Sequence, residues 1–208
     1  MATGAKGFIF EAKIGLVLSF LKESLEKTGW AFIVYSEQGI RDYFKEQSLN
    51  GVDHMIQVQD PEGNQHLFLL QEKWKLITNQ REVSQFLDCC ARILARMPDY
   101  KGKIQRMWVS RTIPTLNGEK SLEEGQVLVV QSCTSQTMLA YSTVIMIAEV
   151  LGQRTMCRDI LDKLDDWLPT HEVLITEGNT FEPVSNFGEK RILPITKKTL
   201  VKVVRVDN

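Results

Sequence analysis

Three side chains set the first chemical question. Asp53 follows Gly51-Val52 at the start of an apolar run, and Gln71 and Lys73 close the next such run, within the stretch SLNGVDHMIQVQDPEGNQHLFLLQEKWK that opens at Ser48. Between the runs lies Asp60-Pro61-Glu62-Gly63-Asn64, a turn signal, so 52–59 and 65–74 are predicted as strands of an antiparallel hairpin. Residues two apart on a strand share a face, which points Gln71 and Lys73 the same way. With Asp53 beside them, the end of the hairpin would carry a carboxylate, an amide oxygen and an ammonium. That set suits a hard cation and a phosphate held together, because hard cations select oxygen ligands and phosphodiester hydrolysis needs both charge stabilisation and an activated water.

The order Gly51-Val52-Asp53, a hairpin, and an apolar run closing in Gln71-Glu72-Lys73-Trp74-Lys75 resembles the PD-(D/E)xK nuclease superfamily. The nearest likeness is to the Mrr-type restriction endonuclease branch, which writes the second motif as Gln-x-Lys. Upstream, Gly7-Phe8-Ile9-Phe10-Glu11 opens a predicted helix that ends at Thr28-Gly29-Trp30. The resemblance implies a metal-side glutamate on that helix, and Glu11 fits the place. It extends over the first half of the chain, to about Arg111.

What the resemblance implies is an α/β, restriction-endonuclease-like domain with a central mixed β-sheet flanked by helices. It implies a Mg²⁺-dependent DNA endonuclease, with Mn²⁺ as a substitute, that hydrolyses phosphodiester bonds by metal-activated water. Asp53, Gln71, Lys73 and Glu11 would be the catalytic set. Asp53, Glu11, Gln71 and Glu72 would face the metal, Glu72 through its backbone carbonyl, since strand alternation turns its side chain to the opposite face. Lys75, Arg111, Lys103 and Lys13 are the candidates for nucleic-acid binding. Double-stranded DNA is the expected partner, and cutting both strands implies a homodimer.

Other readings stand beside these. Gln71 replaces the commoner carboxylate and removes one negative charge from the site, which favours a nuclease-like fold that has lost catalysis and serves as a nucleic-acid-binding or assembly module. A protein-interaction domain without a nucleic-acid partner is a further alternative. Asp53 could be a capping residue, and Glu11 is favoured early in a helix by the helix dipole whatever its function. Trp74 is read with Phe68 and Leu70 as core. Gln85 and Asp88 could face the site, but spacing alone does not decide it. His54, His66 and His171 are scattered and form no signature with the cysteines. No Walker loop, dinucleotide-binding glycine pattern, HExxH or GxSxG occurs.

The elements that must position these residues follow from periodicity. A helix over 8–28 carries a buried stripe of Phe10, Ile14, Val17, Leu18, Leu21 and Leu25. A strand follows at 30–35, then a polar segment, 36–50, read as a loop with a short helical turn. After the hairpin, a helix over 79–97 is stopped by Pro98, and a strand at 104–109 is expected to lie parallel beside 65–74. A loop over 115–125 leads to a strand at 127–131 and a helix at 135–151. Those last two account for the uncharged stretch 127–148, which is too rich in Ser, Thr and Gln for a membrane span. Farther on, a helix over 159–168, a strand at 172–176 and an edge strand at 200–206 are expected. The domain reading is a nuclease core at 1–151 and a C-terminal α+β extension at 152–208, either an accessory layer or a small subdomain.

The 208 residues suffice for one sizeable core, and an apolar content of 43% with 25% charged residues is that of a soluble globular chain. A net charge of −1 does not advertise a nucleic-acid binder. The charge is uneven, however: Lys101, Lys103, Arg106 and Arg111 gather around one predicted strand, and Lys190, Arg191, Lys197, Lys198, Lys202 and Arg205 crowd the C-terminus. Cys89, Cys90, Cys133 and Cys157 show no CxxC spacing, against both a zinc site and a disulfide framework. With no secretory pattern at the N-terminus, the expected location is intracellular, in cytoplasm, nucleoid or nucleus.

Overall fold

The computed structural model describes residues 3–75, 77–112, 114–131, 135–158 and 160, with the backbone of 173–175, 181–183 and 202–204. Described side chains begin at Phe10. The chain forms α1 (Thr3–Glu26), β1 (Ala31–Ser36), α2 (Glu37–Phe44), β2 (His54–Gln59), β3 (Gln65–Lys73), α3 (Gln80–Ala95), β4 (Lys103–Ser110), α4 (Leu116–Glu124), β5 (Val127–Gln131) and α5 (Gln136–Val150). Three short strands follow, β6 (Val173–Ile175), β7 (Phe181–Pro183) and β8 (Lys202–Val204).

Strands β1, β2, β3, β4, β5 and β8 make one mixed sheet in that spatial order. The β1–β2 and β2–β3 pairs are antiparallel, β3–β4 and β4–β5 are parallel, and β8 closes the far edge antiparallel to β5. The expected hairpin and the expected parallel neighbour of its second strand are both present. The extension after 152 thus lends a strand to the central sheet, and its β6–β7 pair is a separate two-stranded sheet. The helix expected at 159–168, Cys133 and the basic C-terminal side chains lie outside the described residues.

Helices cover both faces. On one, Phe10, Ile14, Val17, Leu18, Leu21 and Leu25 of α1 pack with α5 over Ile56, Val58, Phe68, Leu70, Met107 and Val109. On the other, Val83, Phe86, Cys90 and Ile93 of α3, with Ile40 of α2 and Leu122 of α4, cover Met55, Leu67, Leu69 and Trp108. Strand β3 is buried on both faces, so its middle, Leu67 to Leu70, reads as an unbroken apolar run. Alternation sends Phe68 and Leu70 to the α1 side and Leu67 and Leu69 to the α3 side.

Two helices depart from the sequence reading. The segment read as a loop with one helical turn contains the eight-residue α2, capped by the Ser36 hydroxyl, which accepts from the Gly39 N–H. The segment read as a loop at 115–125 contains α4. Among the described residues no helix is long and apolar enough to cross a membrane.

Candidate functional site at the carboxyl ends of the parallel strands

The parallel strands β3, β4 and β5 end on one side of the sheet, where β2 begins. Ligands of open α/β sheets gather at such an edge, outside the carboxyl ends of the strands. Asp53 sits one residue before β2, and its N–H donates to the Leu70 carbonyl at 2.8 Å, which extends the ladder by one rung. The approach to it depends on Gly51, whose φ of +113° suits only glycine and whose missing side chain lets the loop press on α3. A Cβ there would stand 3.0 Å from the Gln85 carbonyl oxygen. Gln85, considered for the site, instead donates to Asn50 at 3.1 Å and holds this loop.

Beyond Leu70 the backbone ladder between β2 and β3 gives way to side-chain bonds. The Asp53 Oδ2 accepts the Glu72 backbone N–H at 2.6 Å and an N–H of the Gln71 amide. The Lys73 ammonium stands 4.0 Å from the same oxygen, with the lysine side chain 25% and the aspartate side chain 12% exposed. Burial pushes the Asp53 carboxyl above its ordinary range, while Lys73, the Glu72 N–H, His54 and Gln71 pull it back. Glu11 is raised too, first by burial and then by the Asp53 charge, with Lys73 and His54 opposing. The helix, the hairpin start and the hairpin end therefore bring Glu11, Asp53, Gln71 and Lys73 into one electrostatic neighbourhood.

The candidate phosphate contacts divide. Arg111 follows β4 at this edge, donates its N–H to the Lys73 carbonyl at 3.1 Å, and lays its guanidinium 5.3 Å from the centre of the Trp74 ring. Trp74 packs in turn on Phe10, ring centres 5.5 Å apart, in keeping with its reading as core. Lys13 reaches the first turn of α5, where its ammonium donates to Thr137 at 3.1 Å. Lys75 is engaged by Glu82, which also closes the capping box of α3 with Asn79. Lys103 does not join them. It pairs in register with His66, whereas Lys73 pairs with Ser110, so Lys103 lies at the opposite end of the sheet, roughly 23 Å away at ~3.3 Å per residue. The basic residues that cluster around β4 in sequence are spread along its length.

One pair escaped the sequence reading. His54 and Glu72 occupy core-facing positions, in line with Ile56 and Val58 on β2 and with Phe68 and Leu70 on β3, and there His54 Nδ1 meets Glu72 Oε1 at 2.6 Å. The Glu72 side chain is 0% exposed, on the face opposite Gln71 and Lys73 as alternation requires, and its second oxygen has no partner. Burial raises the Glu72 carboxyl to about 7 against the pull of His54. For the imidazole, burial acts downward, but the Glu72 charge and hydrogen bond, with Asp53 and Glu11, outweigh it and leave the pKa above its ordinary value. Two polar residues at inward positions of neighbouring strands were the available signal.

Among the described residues no three His, Cys, Asp or Glu side chains converge as a ready metal cage. The oxygen donors at the site are the Asp53 and Glu11 carboxylates and the Gln71 amide, which would have to turn its oxygen inward in place of the N–H it gives Asp53. Comparisons with family models, with curated proteins and with solved structures give no match. What stands plainly is an α/β protein whose mixed sheet is flanked by helices and gathers two carboxylates, an amide and an ammonium at one edge.

Proposed function

We propose that the protein is a divalent-metal-dependent endonuclease of restriction-endonuclease-like fold that hydrolyses DNA phosphodiester bonds. The observation that carries this reading is the Asp53 carboxylate, fixed by the Gln71 amide and the Glu72 N–H and standing 4.0 Å from the Lys73 ammonium, with the Glu11 carboxyl close enough to be raised by its charge. Two carboxylates whose pKa values burial raises suit a hard cation, because a bound cation reverses the penalty of their ionisation.

Asp53 and Glu11 would hold Mg²⁺ or Mn²⁺, with the Gln71 amide oxygen as a neutral third donor and the Glu72 carbonyl as a backbone one. When bound, the metal supplies charge stabilisation at the phosphoryl oxygens and makes water nucleophilic near neutral pH. Lys73 is the fixed cation for the scissile phosphate, and its proximity to Asp53 keeps the ammonium at the site before substrate arrives. Arg111, braced on Trp74, offers a guanidinium to a neighbouring phosphate, in the forked geometry that suits such oxygens. A homodimer, one site per strand, fits double-stranded cutting.

A second reading rests on Gln71. As placed, its amide donates to Asp53 and occupies that carboxylate, the arrangement of a site that binds without cutting. One assay separates the two. Supercoiled plasmid is incubated with the protein in Mg²⁺, Mn²⁺ or EDTA beside Asp53→Asn and Lys73→Ala. The nuclease reading expects metal-dependent nicking or linearisation that each substitution lowers at least ~100-fold, a loss of ~2.7 kcal/mol in transition-state stabilisation. Absence of cutting by folded protein, or cutting that survives both changes, would overturn it in favour of the binding module.

A further inference from the structure

The buried pair of His54 and Glu72 side chains adjoins the proposed site, to which Glu72 lends only its backbone carbonyl. Its two members are chain neighbours of the site residues: His54 follows Asp53, and Glu72 lies between Gln71 and Lys73. Across β2 and β3 the backbone ladder stops at the rung where Asp53 donates to Leu70, and two side-chain links continue it, one on each face. On the α3 face Asp53 accepts from Gln71 and the Glu72 N–H, and on the α1 face the His54 ring pairs with the Glu72 carboxyl. Glu72 is therefore held on both faces, by its backbone N–H on one and its side chain on the other.

The imidazole also faces α1. Its Nε2 lies toward Gly15, where an added Cβ would meet it at 3.8 Å, ordinary van der Waals contact. Glu11 lies one helical turn from Gly15 and on the same face of α1. The imidazole that holds Glu72 thus lies on the α1 side, near enough for its charge to act on Glu11. Folding alone does not call for such a pair, because a buried ion pair replaced by apolar residues of similar volume is commonly neutral or stabilising.

We infer that His54 and Glu72 form a positioning strut beneath the site, which fixes the Glu72 N–H against Asp53 and so holds in place the carboxylate that receives the metal. The metal part of this inference rests on the proposed function; the strut itself does not. His54 and Glu72 are positioning residues, and neither side chain is a ligand.

The double substitution His54→Leu with Glu72→Leu removes the strut and leaves the core apolar, and Glu72→Gln keeps an oxygen for the His54 N–H. Two readouts are taken on the full chain: hydrogen exchange of the Glu72 amide in metal-free protein, and the affinity for Mn²⁺ by titration calorimetry. The strut predicts that the double variant melts no lower than native protein, yet its backbone amide at position 72 exchanges at least tenfold faster and its Mn²⁺ affinity falls about tenfold, in the range seen when outer-shell partners of metal ligands are lost. Glu72→Gln is expected to restore both to within about twofold. Unchanged amide exchange in the double variant overturns the inference, as does unchanged Mn²⁺ affinity in a protein that binds the metal. If native protein binds no metal, the endonuclease reading fails, while the amide readout still decides the strut.

Discussion

A carboxylate and an imidazole buried side by side stabilise a fold only as a pair, and that sets what single substitutions at His54 and Glu72 do. With His54 present, Glu72 has its hydrogen bond and a counter-charge. In His54→Leu, Glu72 is left in an apolar setting with neither, and its remaining course is to keep a proton. Removing one partner of a buried pair costs about 3 kcal/mol when the other stays charged. The loss is therefore expected to approach that figure at about pH 8, where the carboxylate must ionise or pull a proton from solution, and to shrink toward about pH 5, where it is already protonated. Urea unfolding at the two pH values measures it, and an equal loss at both would show that packing, not charge, dominates. The same residues mark where the sequence stops being legible. Asp53, Gln71 and Lys73 are readable because strand alternation is strict, whereas the pairing of His54 with Glu72 depends on register across two strands, which neither strand's own pattern states.

At the level of elements, the site depends on how tightly the loop before β2 can press on α3. Gly51 adopts φ +113°, and an added methyl would meet the Gln85 carbonyl at 3.0 Å. Gly51→Ala is expected to cost about 2 kcal/mol or more, from the backbone conformation and from the contact, and to move Asp53 away from the Glu72 N–H. A lowered urea midpoint with an unchanged slope, together with faster exchange of the Glu72 amide, is the expected result; native stability would sink it. Close approach also explains the misread helix α4. Asn117-Gly118 has the look of a turn, yet Gly118 lies inside the helix, where a Cβ would meet Pro114 at 2.9 Å and Val83 at 3.4 Å. Its glycine serves the packing of α4 on α3, a tertiary demand that local preference does not carry. Helices α1, α3 and α5 were legible because each is long and has either a stripe or an unbroken run to bury. Helix α2 was read short because it buries only Ile40.

For the molecule as a whole, the site couples folding to protons and, on the proposed function, to divalent cations, and the sign of each coupling follows from the same four groups. Glu11, Asp53 and Glu72 all hold protons more tightly in the fold than in the unfolded chain, and so does His54. Between the ordinary carboxylate value of 4.5 and about 7 for Glu72, the native state binds more protons than the unfolded one, so stability falls as pH rises through that window. The His54 contribution has the same sign, present below 6.5 and lost as pH rises through its higher folded value. His54 and Glu72 are coupled through one hydrogen bond, so their contributions overlap, and a total of ~1–3 kcal/mol between about pH 4.5 and pH 8 is the expected scale. In EDTA the melting temperature should therefore fall across this range, and Glu72→Gln should flatten the fall. Mg²⁺ in excess should reverse it from the alkaline side. A cation that binds only the native state stabilises in proportion to the logarithm of its saturation, and it competes with protons at Asp53 and Glu11. Its stabilisation should accordingly grow as pH rises, and Asp53→Asn should abolish it. A melting temperature that rises with pH in EDTA would mean that these carboxyls ionise freely in the fold. Stabilisation by Mg²⁺ that persists in Asp53→Asn would move the cation to another part of the molecule.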